Sequence, residues 1–88
     1  MNQALRFNKN GTLQPFYRDK LFLSIYDSLK HRKTAQMDAT ALADTIIGKL
    51  HSNSQGAGIE RDYVADVTYK TLKLFDQVAA THYKAFHP

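Results

Sequence analysis

Apolar side chains recur along this chain with the spacing of helix faces. From Asp19 to about His31, Leu21, Phe22, Ile25, Tyr26 and Leu29 fall at i, i+3, i+4 and i+7, and predict a first helix over about 19–32. Ala39, Leu42, Ala43, Ile46, Ile47 and Leu50 repeat the pattern and predict a second over about 38–51. Asp38 is a candidate N-cap for it, with Thr34 as a competitor. A third, about 60–75, buries Val64, Val67, Thr71, Leu72 and Phe75; a fourth, about 76–86, is capped by Asp76 and turns Ala79, Tyr83 and Phe86 to one side. Lys30 to Lys33 at the end of the first helix, and Lys70 and Lys73 at the end of the third, complement the negative ends of the helix dipoles.

Ahead of the helices the period changes. Leu5 and Phe7 alternate with Arg6 and Asn8, and Asn10-Gly11 is a preferred pair for a type I′ turn. Pro15, without an amide donor, confines the second strand to an edge. The expectation is a β-hairpin over about 4–16, laid against the helices because a lone hairpin is marginal in water. Residues 52–58 are small, polar and Gly-rich; they read as a connector and lack the spacing of a phosphate-binding P-loop.

Eighty-eight residues support one modest core, so 1–88 is expected to form a single domain. The absence of cysteine excludes disulfides, thiolate metal sites and cysteine nucleophiles. No carboxylate pair, nucleophile motif or helical His pair stands out: Asp62 and Asp66 suit a solvated face, and His82 and His87 miss the i, i+4 register. An enzyme is therefore not expected, nor is a metal site. No apolar run is long enough to span a membrane and Met1 to Arg6 has no signal-like core, so the expected location is the cytoplasm. Twelve Lys and Arg against eight acids give a net charge of +4, compatible with an ordinary basic surface or with a polyanionic ligand. Nucleic acid is not the expected ligand, because no helix is rich in Arg, Asn and Gln.

The segment Lys9-Asn10-Gly11-Thr12-Leu13-Gln14-Pro15-Phe16-Tyr17-Arg18-Asp19-Lys20-Leu21 resembles the opening of the ATP-cone, a regulatory domain of ribonucleotide reductases and of their transcriptional repressor. At the far end, Leu74-Phe75-Asp76-Gln77-Val78-Ala79 with Tyr83 and Phe86 is similar to the closing signature of that family. The resemblance implies a mainly α, four-helix domain with an N-terminal β-hairpin lid. It also implies non-catalytic binding of ATP or dATP, with which a magnesium ion can be associated, to modulate association with itself or a protein partner. Carried over residue by residue, it assigns Lys9, Arg18 and Lys20 to the phosphates and the backbone around Gln14 and Phe16 to the adenine edge. Leu21 would pack on the ring, and His82 stands where the family has an Arg. Asn8, Gln14, Tyr17, Arg61 and Ala65 depart from the family pattern. The alternative is thus a degenerate cone that binds no nucleotide and serves as a protein-interaction module.

Overall fold

A computed structural model describes residues 6–9, 12–52 and 59–86, the first two strands through their backbone. The chain is mainly helical. Its elements run β1 (Arg6–Lys9), β2 (Thr12–Pro15), α1 (Arg18–Ser28), α2 (Ala35–Ser52), β3 (Ile59–Glu60), α3 (Arg61–Phe75) and α4 (Gln77–Phe86). α1 packs on α2 and α4, and α3 packs on α2 and α4.

The helices meet through the stripes that the apolar spacing predicts. Ile25 and Leu29, Ala39, Ala43, Ile46 and Leu50, Leu72 and Ala79 are fully enclosed. Alanines at 39, 43, 79 and 80 bring helix backbones close, while Ile46, Leu50 and Leu72 fill the space between them. The enclosed polar groups are satisfied within their own helices. Ser28 Oγ donates to the Ser24 carbonyl at 3.0 Å, and the Thr68 and Thr71 hydroxyls donate to Val64 and Val67 at 2.8 Å each. Each side chain is thereby hydrogen-bonded despite burial.

β1 and β2 pair antiparallel with Lys9 opposite Thr12 and Phe7 opposite Gln14. The Asn10-Gly11 turn predicted between them lies outside the described residues, as does most of the Gly-rich connector. Pro15 ends β2, an outer strand in the order β2-β1-β3, where no ladder partner needs its missing amide. β3 has no counterpart in the sequence pattern. Its two residues pair parallel to β1, Ile59 opposite Phe7, and carry Ile59 into the core. Two residues are too few to show a strand period, so only the tertiary pairing reveals them.

Several boundaries differ from the periodicity. α1 stops at Ser28 rather than near residue 32, and the amide of Leu29 reaches back to Ile25 and Tyr26. The basic run 30–33 consequently lies in the α1–α2 turn and not in the last turn of α1; His31 and Arg32 pair there with Asp76, and Arg32 also with Asp38. α2 begins at Ala35. The Thr34 carbonyl accepts the Asp38 amide at 2.9 Å, so Thr34 takes the N-cap position and Asp38 falls in the first turn. Phe75 and Phe86, expected in the core, are exposed. Phe75 is the last residue of α3 and stacks under a guanidinium, and Phe86 ends α4. Asp76 does cap α4: its Oδ1 accepts the amides of Val78 and Ala79 at 2.9 and 3.1 Å.

Candidate functional site

Two residues, Phe16 and Tyr17, separate β2 from α1, so the sheet feeds directly into the first helical turn. Phe16 is partly buried against the core, and Tyr17 is an extended N-cap (φ −97°, ψ 108°) without a side-chain cap. Successive helical residues point about 100° apart, which spreads the residues that follow. Arg18 swings to α2, where its Nη2 meets Asp44 Oδ1 at 2.6 Å on the surface. Lys20 lies with Nζ 5.4 Å from the centre of the Tyr17 ring. Leu21 points inward and is buried in the core.

The expected nucleotide contacts are therefore not all drawn together. Lys9 and Gln14 lie on adjacent strands of the β1–β2 ladder, Lys9 opposite Thr12 and Gln14 opposite Phe7. Phe16, Arg18 and Lys20 follow within one turn of the sheet's exit, but Arg18 is directed to Asp44 and Lys20 to Tyr17. Leu21 offers little open surface to a base. His82 is elsewhere: its Nδ1 donates to the Ser28 carbonyl at 3.3 Å, at the opposite end of α1. Eight residues of helix between Lys20 and Ser28 amount to about 12 Å. The sequence resemblance assigns His82 by position in a motif, and the helix packing sets its neighbours.

Around that far end lies a cluster that the sequence pattern does not assemble, centred on Asp76. Asp76 Oδ2 accepts hydrogen bonds from His31 Nε2 at 3.0 Å and from Arg32 Nη1 at 2.9 Å. Arg32 Nε also donates to Asp38 Oδ2 at 2.9 Å, and the Thr34 hydroxyl reaches the same oxygen at 2.6 Å. The His31 ring meets His82 edge-on with centroids 5.3 Å apart. One carboxylate at the α3–α4 junction thus joins the α1–α2 turn, the start of α2 and the start of α4. The His31 hydrogen bond, aided by the Ala79 amide and Arg32, holds the Asp76 carboxyl well below the usual range against the opposing effect of burial. Asp38 is lowered by Thr34 and then Arg32, and Arg32 is raised by Asp38 and Asp76. Burial pushes the Tyr83 phenol up, opposed by its hydrogen bond with Thr68 and the charge of Arg61. The sequence signal for this cluster is the string of charged residues 30–33 together with the Asp of the closing motif; what it lacks is their spatial neighbourhood.

A shallow groove of about 610 Å³ runs along the outer face of α2, bordered by Lys33, Met37, Thr40 and Asp44. It does not include Lys20, Leu21 or His82. Among the described residues no group of three or more His, Asp or Glu is placed to hold a metal ion, and no helix is long and apolar enough to cross a membrane.

No protein-family model matches the chain. It is similar to the transcriptional repressor NrdR of Afipia carboxidovorans, 28% identical over 79 residues. The match takes in 90% of this chain and 49% of the repressor, so the chain spans about half the length of the curated relative it matches.

Proposed function

We propose that this chain is an ATP-cone-like regulatory module, a single domain that binds ATP or dATP without catalysis and uses the ligand to modulate association with itself or a protein partner. The observation that carries this reading is the similarity to a transcriptional repressor over nearly the whole chain. In this reading β1 and β2 act as a lid, and the phosphates lie beside the first turn of α1. Lys9, Arg18 and Lys20 supply charge-assisted hydrogen bonds, and magnesium accompanies the ligand as part of the nucleotide complex. Arg18 is available because its bond to Asp44 is an exposed ion pair, a class worth about 0–1 kcal/mol, which a triphosphate can displace. The purine lies by Phe16 and the Gln14 backbone, and Leu21, buried in the core, supports the first turn of α1 from behind. His82 is left out of this set because of its place beyond the far end of α1. The module works in the cytoplasm, where its nucleotide is found.

Calorimetric titration with ATP and dATP, paired with thermal melts, tests the reading. Binding raises the melting temperature by mass action, with about 2.7 kcal/mol of added stability at a hundredfold excess over Kd. Lys20→Ala should weaken binding by at least about tenfold, the worth of one charge-assisted contact. Heat-silent titration and an unmoved melt at millimolar nucleotide would refute it. The second reading, a nucleotide-free interaction module, is favoured by the separate commitments of Arg18 to Asp44 and His82 to Ser28. It would be selected by partner association that is unchanged by nucleotide.

A further inference from the structure

We propose that the elbow between α3 and α4 is a docking surface for an acidic amphipathic helix of a partner protein. Scattered exposed apolar residues are ordinary, but here three fall within five positions. Leu74 is 87% exposed, Val78 53% and Phe75 42%, on either side of the extended Asp76 that turns the chain from one helix to the next. The elbow is built to hold its shape. The Arg32 guanidinium lies 4.7 Å from the centre of the Phe75 ring and is itself fixed by Asp38 and Asp76. An aromatic ring held in place under an Arg loses little freedom on binding, the property of interface anchors.

The charges around the patch select the occupant. From the α1–α2 turn come His31 and Arg32, both bonded to Asp76; from α3 come Lys70, paired with Asp66, and Lys73. Among the described residues Lys73, next to Leu74 in α3, has no carboxylate within ion-pair distance. The two carboxylates nearest the elbow, Asp76 and Asp38, are directed to Arg32 and largely covered. An approaching chain therefore meets apolar side chains beside the Arg32 guanidinium and Lys73, which favours glutamate and aspartate on the partner. A second copy would bring the same cations. Three side chains also expose far less than the roughly 800 Å² per partner of a standard dimer interface. They suit the few anchors, spaced i and i+4, that a single helix presents. This inference names the association surface of the proposed module and to that extent rests on that reading, but it requires no nucleotide.

The test uses the intact chain without nucleotide, so its failure leaves ATP binding to be judged separately. The probe is a fluorescein-labelled synthetic helix of about 16 residues, with leucines at i, i+4 and i+7 and glutamates on both flanks; a twin carries lysines instead. Fluorescence anisotropy should show the acidic peptide binding at least about tenfold more tightly than the twin. Leu74→Ser should weaken it about tenfold, as expected for losing one apolar anchor, and Lys73→Glu should narrow the preference between peptides. Circular dichroism melts establish that both variants fold. Absence of binding, equal binding of the two peptides, or indifference to Leu74→Ser overturns the proposal. So does a concentration-dependent dimer that Leu74→Ser dissolves, which would give the surface to a second copy.

Discussion

Replacing Asp76 should destabilise this chain more than any other single carboxylate change, because one side chain performs two tasks. Oδ1 caps α4 through the amides of Val78 and Ala79, and Oδ2 holds His31 and Arg32. Loss of an N-cap costs about 1 kcal/mol. Loss of the charge-assisted bonds to Oδ2 costs about 1 kcal/mol more, below the usual range for such bonds because both donors are partly exposed and Arg32 keeps Asp38. Asp76→Ala should therefore lose about 2 kcal/mol, or roughly 8–16 °C of melting temperature for a domain of this size. Asp76→Asn keeps an oxygen for the amides while presenting an NH₂ to His31 and Arg32, and should lose about half as much. The Asp76 carboxyl is lowered in the folded state from an ordinary value of 3.8. Its contribution is thus fully present above about pH 4–5 and declines as pH falls from there toward the depressed folded value. The stability gap between wild type and Asp76→Asn should accordingly be constant near neutrality and close as the solution is made more acid than about pH 4. Urea unfolding of the three proteins at pH 7, 5, 4 and 3, followed by circular dichroism, measures both quantities. Equal stability of Asp76→Ala and Asp76→Asn would refute the capping argument, and a gap independent of pH would refute the electrostatic one.

Two further substitutions probe the framework. Gly48 lies inside α2, is exposed, and has open space for at least 4 Å around the point where a Cβ would stand. Gly48→Ala should therefore add about 0.5–1 kcal/mol by reducing unfolded-state entropy, read as a higher urea midpoint at unchanged slope. Ile46 is wholly enclosed among the helices, and Ile46→Ala should cost about 2–5 kcal/mol, enough to leave a large unfolded fraction in a chain of this size.

The helical identity of the chain is legible in its sequence because the 3.6-residue period is a local property. Ile25 and Leu29, or Ala39, Ala43, Ile46 and Leu50, reveal a buried stripe wherever the helix comes to rest. Asp76 as a cap is equally local, since a cap bonds amides two and three residues away. The candidate nucleotide residues on α1 are readable only as a motif, and their directions are not. Arg18 finds Asp44 because α2 crosses α1 beside it, a neighbour twenty-six residues distant that no local pattern specifies.

Sequence alone thus determined the helices, the edge character of the Pro15 strand and the cap of α4, all governed by backbone geometry and near neighbours. Tertiary packing decided the rest. It ended α1 at Ser28, moved the basic run into a turn, recruited Ile59 beside Phe7 and left Phe75 outside beneath Arg32. The physical reason is that ion pairs and strand pairing join residues far apart in the chain, and their strength depends on distances that exist only once the helices have packed.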